Sequence, residues 1–294
     1  MTLARRVLIT GAAGQVGCEL MKSAPSGIEL CAVTRDELDV GDEVAVREYV
    51  TNCKPELIIN AAAYTAVDRA ESESVEAARC NESGAHNLAA AAARLVGTRV
   101  IHISTDFVFD GRASVPYTPD DAPMPLGVYG RTKLAGERAV VEALGARALI
   151  VRTAWVYASH GCNFLRTMMR LMNERKAVRV VDDQVGTPTS ARSLARVLWL
   201  FADRSDLCGV FHWTNAGVAS WYDFALAIAE EAAGMSLLHG DVSVMPIASS
   251  EYPTAARRPS FSVLDKRSTI SALQLEPDHW RVELRSIMRE MAIG

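Results

Sequence analysis

The stretch Arg6-Val7-Leu8-Ile9-Thr10-Gly11-Ala12-Ala13-Gly14-Gln15-Val16-Gly17 joins a short apolar run to a loop with a glycine at every third position. This run, the loop and the residues through Met21 predict a strand, a tight turn and a helix. The glycines would allow the turn, close approach of the backbone to a pyrophosphate, and packing of the helix on the strand. The helix N-terminus would offer unpaired N–H groups to phosphates. We therefore predict that a dinucleotide is bound by Gly11, Ala12, Ala13, Gly14, Gln15, Val16 and Gly17.

Apolar segments continue to alternate with helical ones after this loop. Strands are predicted at Glu29–Val33, Glu56–Asn60, Val100–Thr105 and Ala148–Arg152. This alternation is typical of an α/β fold with a Rossmann-type, doubly wound parallel sheet. The rhythm loosens afterwards, which predicts a smaller, interleaved α/β substrate domain. We assign residues 1–152 to a dinucleotide-binding domain, which segments near 178–215 would complete, and residues 153–294 mainly to the substrate domain.

Composition and charge narrow the class of protein. The chain has 294 residues, 49% of them hydrophobic and 22% charged, as in an ordinary globular protein. Its net charge of −4 gives no basic patch for nucleic acid, and no apolar run approaches the ~18 residues of a membrane-spanning helix. The segment Met1 to Thr10 leads directly into a strand without a signal-peptide pattern. Six scattered cysteines lack metal-type spacing, so we expect buried free thiols, a cytoplasmic location and no metal ligands.

The end of the second predicted strand bears on the choice of cofactor. There Thr34, Arg35 and Asp36 follow the apolar run. An arginine at this point suits the 2′-phosphate of NADPH, whereas an acidic residue suits the ribose hydroxyl of NADH. Arg35 therefore favours NADPH, and Asp36 keeps NADH open. Asp39 and Val40 are predicted to lie against the adenine, with an N-cap region for the next helix as the alternative.

Two later strands are followed by small or hydroxyl-bearing residues. Ala61 to Thr65 come after one strand, and Thr105 ends the next. Carboxyl ends of parallel strands face the same crevice as the glycine loop, so these residues would leave room for a ligand or contact it. His102 lies within its strand, and we expect it to be packed rather than catalytic.

Tyr129 and Lys133 carry the candidate acid–base chemistry. They are four residues apart and therefore lie on one face of a helix. A tyrosine hydroxyl titrates near pH ~10, and an adjacent ammonium would lower its pKa. The alternative is a solvated helix in which Lys133 pairs with Glu137. Thr105, at the predicted sheet edge, gives Tyr129 a partner and favours the catalytic interpretation.

Longer blocks resemble one family. The glycine loop, Thr105 and the Tyr129–Lys133 pair look like an extended short-chain dehydrogenase/reductase. Five blocks, which run in order through most of the chain, resemble the dTDP-4-dehydrorhamnose reductases more specifically. They are Asn60-Ala61-Ala62-Ala63-Tyr64-Thr65-Ala66-Val67-Asp68, Ser104-Thr105-Asp106-Phe107-Val108-Phe109-Asp110-Gly111, Tyr129-Gly130-Arg131-Thr132-Lys133-Leu134-Ala135-Gly136-Glu137, Arg152-Thr153-Ala154-Trp155-Val156-Tyr157 and Asp183-Gln184-Val185-Gly186-Thr187-Pro188-Thr189.

The resemblance implies hydride transfer from NADPH or NADH to the C4 ketone of dTDP-4-dehydro-6-deoxy-L-mannose, the last step of dTDP-L-rhamnose synthesis. It implies that residues 153–294 mainly bind the nucleotide-sugar. Tyr129 would donate the proton, Lys133 would lower its pKa and hold the nicotinamide ribose, and Thr105 would hydrogen-bond the carbonyl oxygen. The remaining implied contacts are Ala63, Tyr64 and Thr65 for the cofactor, and Thr105, Asp106, Trp155 and Arg258 for the substrate. For Trp155 a core aromatic, and for Arg258 a surface arginine, remain the alternatives.

The chain departs from the family at two points. Tyr64 stands where the family often has histidine. Some members form a dimer bridged by a divalent metal such as Mg²⁺, held by glutamates; Glu19 and Glu290 fall near two of those positions, but Arg192 replaces a third. A cation would repel the metal, so we expect no metal bridge, while a homodimer stays open.

Other functions remain compatible with the residues. One is another nucleotide-sugar reductase or epimerase of the same superfamily, which would share the catalytic trio. Another is a partner protein that resembles the NADP-binding regulatory subunit of methionine adenosyltransferase, and a third is a nucleotide-binding sensor without turnover. The intact trio of Thr105, Tyr129 and Lys133 favours an enzyme.

Overall fold

A computed structural model describes residues 5–293. Residues 1–4, which belong to the N-terminal segment expected to lack a signal-peptide pattern, lie outside that range. The strands are β1 (Arg5–Thr10), β2 (Ile28–Val33), β3 (Leu57–Asn60), β4 (Arg99–Thr105), β5 (Ala148–Thr153), β6 (Val156–Tyr157), β7 (Ala177–Val181), β8 (Val185–Gly186), β9 (Thr189–Ser190), β10 (Gly209–His212), β11 (Ala219–Ser220) and β12 (Ser243–Ile247). The helices are α1 (Gln15–Lys22), α2 (Glu43–Cys53), α3 (Val67–Ala70), α4 (Ser74–Ala78), α5 (Gly84–Ala93), α6 (Val128–Leu144), α7 (Phe164–Glu174), α8 (Ala191–Ala202), α9 (Trp221–Gly234), α10 (Arg267–Leu273) and α11 (Trp280–Ile293).

A six-stranded sheet forms the centre of the molecule, in the order β10-β5-β4-β3-β1-β2. All neighbouring pairs in it run parallel. From β1 the chain adds β2 on one side and then β3, β4, β5 and β10 on the other. Because the strands are parallel, the carboxyl ends of β1, β3, β4 and β5 lie at the same edge of the sheet. This arrangement confirms the predicted doubly wound α/β fold.

Successive side chains of each central strand enter opposite apolar layers, because the side-chain period of a strand is two. Val7 and Ile9 of β1 pack in a layer with residues of α1 and α8. Leu8, between them, packs in a second layer with residues of α2, α5 and α6. Both faces of the sheet are therefore covered by helices, as the continuous apolar strands require.

The later segments join the sheet only in part. β10 extends it beside β5. In contrast, β7 pairs with β12 in a separate sheet. The segment Gln184–Thr189 contains the short strands β8 and β9, which pair with β11 and β6, respectively. A separate apolar cluster surrounds α7, α9 and α11. The division into domains at residues 152 and 153 stays a prediction.

The helical segment that follows β3 is interrupted. α3 ends at Ala70, and α4 begins at Ser74, then continues through a π-helical turn at Arg79–Ser83 into α5. The interruption frees Glu71, whose Oε1 accepts a hydrogen bond of 2.7 Å from the backbone N–H of Val128. Glu71 thus caps the first turn of α6, where Gly127 has no side chain to do so.

Candidate active site

The carboxyl edge of the central sheet borders a cavity of about 370 Å³. Three parts of the chain line it: the start of α1, the end of β4 with the start of α6, and the segment after β5. The lining residues named by the sequence are Gly14, Gln15, Val16, Ala63, Thr65, Thr105, Asp106, Tyr129, Lys133, Trp155 and Arg258. The structure therefore brings together most of the predicted cofactor, catalytic and substrate residues.

The glycine loop has the shape that a pyrophosphate requires. Gly11 has a φ of +70°, and a Cβ there would lie 2.7 Å from the backbone of Ala61 and Ala62. The loop therefore sits directly against the residues that follow β3. α1 begins at Gln15 with Gly14 as its N-cap and no capping side chain, which leaves its first N–H groups available to an anion. These residues fit a dinucleotide.

Tyr129 reaches the end of β4 because α6 packs closely on the backbone there. A Cβ at Gly130 would collide with the carbonyl oxygen of Phe107, so glycine is needed for this approach. The rings of Phe107 and Tyr129 meet edge to face, with 5.5 Å between centroids. Thr105 is buried and donates a hydrogen bond of 3.0 Å to Oδ1 of Asp106. Tyr129 and Thr105 line the same cavity at this edge.

The titration of Tyr129 differs from the expectation. Burial raises the pKa of Tyr129 to about 12, a hydrogen bond with Thr105 opposes this shift, and the Asp106 carboxylate adds to it. Lys133 is not among the groups that shift this pKa, so the prediction that Lys133 lowers the pKa of Tyr129 is wrong. Desolvation disfavours the phenolate more than its hydrogen bond stabilises it. At neutral pH Tyr129 is protonated.

Lys133 is buried, and its ammonium contacts the strand rather than solvent. Nζ donates a hydrogen bond of 2.6 Å to the carbonyl of Ile103 and lies 3.4 Å from Nε2 of His102. Burial lowers the pKa of Lys133 to about 8, against the opposing charges of Cys80 and Glu137. The alternative of a solvated Lys133–Glu137 pair is wrong, because Lys133 is buried and Glu137 pairs with Arg152.

His102 is packed, as predicted, but it belongs to a buried polar chain. Oδ1 of Asn60 accepts hydrogen bonds from the Thr10 hydroxyl (2.7 Å) and the Ala62 N–H (3.1 Å). The Asn60 amide nitrogen must therefore face His102, and it lies 3.0 Å from Nδ1. Since Nδ1 accepts this bond, the neutral ring carries its proton on Nε2, towards Lys133. Burial and the Lys133 charge hold the pKa of His102 well below its usual range.

A buried ion pair joins α6 to β5. Its carboxylate belongs to Glu137, which lies one helical turn after Lys133. Arg152 of β5 donates to both carboxylate oxygens of Glu137, at 2.9 and 2.7 Å. Ser104 of β4 donates a third hydrogen bond to this carboxylate. The pair therefore fixes α6 to two central strands directly below the catalytic residues.

Asp106 presents a buried carboxylate to the cavity. Burial raises its pKa to about 6, while hydrogen bonds from Ser262 and then Thr105 oppose the shift. Its Oδ2 has no hydrogen-bond partner among residues 5–293. A buried acceptor without a partner is costly, so this oxygen is available to a ligand hydroxyl.

Two tryptophans, Trp155 and Trp221, form an aromatic wall of the cavity. Trp155 and Trp221 are stacked, with 3.5 Å between ring centroids and an interplanar angle of 7°. Trp155 has a φ of +49°, which is rare for a residue with a bulky side chain. Trp221 is the first residue of α9, held there by a capping box between Ser220 and Asp223. Sequence analysis missed Trp221 as a site residue, because only the folded chain stacks it on Trp155.

A larger cavity of about 850 Å³ adjoins the first one and shares Thr65, Val67, Trp221 and Arg258 with it. Arg258 lies at this junction. Its Nη2 donates a hydrogen bond of 2.7 Å to Asp68, and its buried Nε has no partner among residues 5–293. One face of the guanidinium is therefore available to an anionic ligand. Sequence analysis did not identify the outer lining from α7 and β7, which includes Phe164, Met168, Arg170 and Arg179.

Comparisons with known proteins agree with this geometry. A family model described as the RmlD substrate binding domain matches residues 5–293. The chain belongs to this family.

Several members of the family are similar over nearly their whole length. The spore coat polysaccharide biosynthesis protein SpsK of Bacillus subtilis is 37% identical, over 97% of both chains. The dTDP-4-dehydrorhamnose reductase of Burkholderia thailandensis is 41% identical, over 97% of this chain and 99% of the relative. That of Escherichia coli K12 is 40% identical, over 97% of both chains. The resemblance to dTDP-4-dehydrorhamnose reductases is thus confirmed.

Solved structures agree. A dTDP-4-dehydrorhamnose reductase of Clostridium acetobutylicum superposes with a TM-score of 0.91 at 40% identity, over 97% of this chain and 99% of that one. The enzyme of Bacillus anthracis in complex with NADP gives a TM-score of 0.92 at 35% identity, with the same shares covered. A UDP-glucose 4-epimerase of Thermus thermophilus, 17% identical with a TM-score of 0.82 over 98% of this chain and 99% of that one, shares the fold.

A third cavity, of about 260 Å³, lies beside the glycine loop. We call it the adenosine cavity, because residues predicted to contact the adenosine part of the cofactor line it. Gly11, Arg35, Asp39, Val40 and Tyr64 line it, and Ala63 and Thr65 connect it to the catalytic cavity. Asp36 lies in an exposed turn outside that lining. The acidic residue of the adenosine cavity is therefore Asp39. Tyr64, at the family's frequent histidine position, donates a hydrogen bond of 2.6 Å to Glu73.

The positions that bear on a metal-bridged family dimer are occupied by ion pairs. Arg192 of α8 pairs with Glu290 of α11 and lies 4.0 Å from Glu19 of α1. Lys22 also approaches Glu19, at 2.9 Å. Within residues 5–293 no group of three or more His, Cys, Asp or Glu side chains could hold a metal ion. These pairings do not fit a metal at the two glutamates, and a homodimer stays open.

All six cysteines are free thiols. Four are partly buried, but Cys162 and Cys208 are exposed, so the expectation of buried thiols is wrong for these two. Among the described residues no helix is both long and apolar enough to cross a membrane.

Proposed function

We propose that this chain reduces the C4 ketone of dTDP-4-dehydro-6-deoxy-L-mannose to dTDP-L-rhamnose, with NADPH or NADH as the reductant. This reaction would be the last step of dTDP-rhamnose synthesis. The observation that carries the proposal is a single cleft lined by the glycine loop, Thr105, Tyr129, Lys133 and the tryptophan wall. Identity of 40% over 97% of the chain to the Escherichia coli reductase supports the same assignment.

Tyr129 would donate a proton to the oxygen as the ketone becomes an alcohol. A donor must be protonated at the working pH, and the raised pKa of Tyr129 meets this requirement. Thr105, which lines the same cavity, would hold the carbonyl oxygen beside the phenol. Lys133 would contact the nicotinamide ribose, and bound NADPH or NADH would supply the hydride. Ala63, Tyr64, Thr65 and residues 11–17 would complete the cofactor site.

The sugar nucleotide would extend from the catalytic cavity into the larger one. The free Oδ2 of Asp106 would accept a hydrogen bond from a sugar hydroxyl, and the indole of Trp155 would cover the hexose. Arg258, which lines both cavities, would bind the diphosphate. Residues 1–152 with β10 would then hold mainly the dinucleotide, and residues 153–294 mainly the dTDP-sugar.

Two further features belong to the proposal. The free thiols support a reducing, cytoplasmic location. A homodimer stays possible, and the ion pairs at Arg192 predict that such a dimer has no bridging metal. Sedimentation with and without EDTA tests this: an EDTA-dependent dimer would contradict the expectation.

The alternatives predict different outcomes in one assay. The purified chain is mixed with enzymatically generated dTDP-4-dehydro-L-rhamnose, and NADPH absorbance at its nicotinamide band is followed. We expect NADPH oxidation in proportion to the ketone added, together with dTDP-L-rhamnose as the product. NADPH binding without oxidation, while the coupling enzymes are active, would refute the reductase and favour a regulatory subunit or a sensor. Oxidation only with another nucleotide-sugar would favour a different reductase.

A further inference from the structure

The adenosine cavity contains more positive charge than one phosphate needs. Three arginines line it, namely Arg35 in the turn after β2, Arg69 in α3 and Arg79 in the π-helical turn. The cavity contacts the glycine loop through Gly11 and the catalytic cavity through Ala63 and Thr65. The ribose of a bound dinucleotide would therefore meet these guanidinium groups.

Each of these arginines already pairs with a carboxylate. Arg35 donates a hydrogen bond of 2.6 Å to Oε1 of Glu76 in α4, and Arg79 donates one of 2.9 Å to Oε2 of the same residue. Arg79 also lies 2.9 Å from Asp39. Arg69 pairs separately with Glu73, at 2.7 Å. Glu76 is therefore the bridge between Arg35 and Arg79.

The charges of this group cancel. Arg35 and Arg79 are opposed by Glu76 and Asp39, so the cluster is electrically neutral. The hydrogen bond from Arg79 and then the one from Arg35 hold the pKa of Glu76 below its usual range, so Glu76 is ionised at neutral pH. The dianionic 2′-phosphate of NADPH would have to share Arg35 with this carboxylate. The ribose hydroxyl of NADH would instead find a carboxylate acceptor in Asp39, which lines the cavity.

The Arg35–Glu76 pair is weak enough to yield to a ligand. The Arg35 side chain is 67% exposed and that of Glu76 33% exposed, and ion pairs in such positions contribute little to stability. A 2′-phosphate could therefore bind Arg35 in place of Glu76, but the Glu76 carboxylate would remain close to the phosphate. Glu76 thus reduces the advantage of a 2′-phosphate without abolishing it.

We propose that Glu76 is a specificity-determining residue for the cofactor, which lowers the preference for a 2′-phosphate and lets the site accept both NADPH and NADH. The inference rests on the proposed dinucleotide site. It concerns the choice between two cofactors, and the sugar reaction does not enter it.

Adenosine 2′,5′-bisphosphate and 5′-AMP test the inference directly, since they differ by the 2′-phosphate and contain no nicotinamide. The dissociation constants of both are measured by calorimetry on the full chain, for the native protein and for Glu76→Gln. We expect the preference for the bisphosphate to rise roughly three- to tenfold in the variant, mainly through tighter bisphosphate binding. Titrations with NADPH and NADH should change in the same direction.

Two further variants separate a specific effect from a general one. Glu48→Gln removes an equal charge from the exposed face of α2 without an ion pair to Arg35, Arg69 or Arg79, and we expect an unchanged preference. In the Arg35→Ala background, Glu76→Gln should lose most of its effect. An unchanged preference in Glu76→Gln, an equal rise in Glu48→Gln, or a full effect without Arg35 would each overturn the inference. Thermal melts confirm that the variants are folded.

The outcome is distinguishable from that of the proposed function. If neither probe nor NADPH binds the native protein, the dinucleotide site itself is refuted. If both probes bind with the expected change but the ketone is not reduced, the inference on Glu76 holds and only the reductase fails.

Discussion

The catalytic trio and the tryptophan wall line one cavity, but they are built differently. Thr105, Tyr129 and Lys133 belong to β4 and α6, regular elements of the central sheet and its helical layer. Trp155 follows β5, and Trp221 begins α9. Their rings stack because the backbone of Trp155 adopts a left-handed conformation. The first side has the geometry of a fixed reaction centre, and the second that of a binding surface.

This difference teaches which property each side controls. The trio is anchored by Glu71, Gly130 and the buried Glu137–Arg152 pair, so a change there should affect turnover or the stability of the fold. The wall is partly exposed and rests on stacking, so a change there should affect affinity for the sugar. Four predictions follow this contrast from the largest expected effect to the smallest.

Removing the hydroxyl of Tyr129 is expected to have the largest effect. In Tyr129→Phe the proton donor is lost, whereas the ring and its contact with Phe107 remain. We expect kcat to fall by about 10²–10⁴-fold, with NADPH affinity nearly intact. Stopped-flow turnover and fluorescence titration of NADPH measure the two quantities. Turnover like that of the native protein would exclude Tyr129 as the donor.

The buried ion pair below the trio should control stability. Glu137→Gln leaves the Arg152 guanidinium buried without its counter-charge, and breaking such a pair costs about 3–5 kcal/mol. Chemical denaturation measures the free energy of unfolding. Glu174→Gln is the matched control, because Glu174 pairs with Arg170 on the surface of α7 and should cost about 0–1 kcal/mol. Equal losses in the two variants would show that burial of the pair is unimportant.

The trio and Asp106 should give a bell-shaped pH profile. Asp106 has its pKa raised to about 6, so the carboxylate is lost as the pH falls through this value. Lys133 has its pKa lowered to about 8, so the ammonium is lost as the pH rises through that value. Tyr129 stays protonated throughout. We expect kcat/KM for the sugar to fall about tenfold per pH unit beyond each limb.

Asp106→Asn provides the check on the assignment of the acid limb. The asparagine cannot titrate, so the limb near pH 6 should disappear while the basic limb remains. Persistence of the acid limb in this variant would assign it to another group.

Removal of one indole from the wall should have the smallest effect on the reaction. Trp221→Ala leaves Trp155 without its stacking partner, and aromatic pairs contribute about 0.5–1.5 kcal/mol. We therefore expect KM for the sugar to rise about two- to tenfold, with a smaller change in kcat. The circular-dichroism couplet of the stacked indoles should also vanish. Trp199→Phe removes a buried indole from the apolar layer between α8 and the central sheet. This variant should leave both KM and the couplet unchanged. An unchanged couplet in Trp221→Ala would contradict the stack.

Local patterns in the sequence determined much of the fold and of the trio. The glycine loop, the apolar strands and the spacing of Tyr129 and Lys133 are short-range signals, because helices and strands repeat every few residues. They predicted the parallel sheet and the edge at which Thr105 and Tyr129 meet. The family resemblance added Asp106, Trp155 and Arg258, which line the same cleft.

Only the tertiary structure decided the environment of those groups. Trp221, Glu71 and Glu76 act on residues distant in the chain, and no local pattern pairs them. The raised pKa of Tyr129 likewise comes from desolvation, which depends on how the folded chain excludes water. The sequence by itself therefore determined which chemical groups are present and on which elements they lie. Their burial, charge partners and protonation were decided by long-range packing, because solvation is a property of the assembled surroundings.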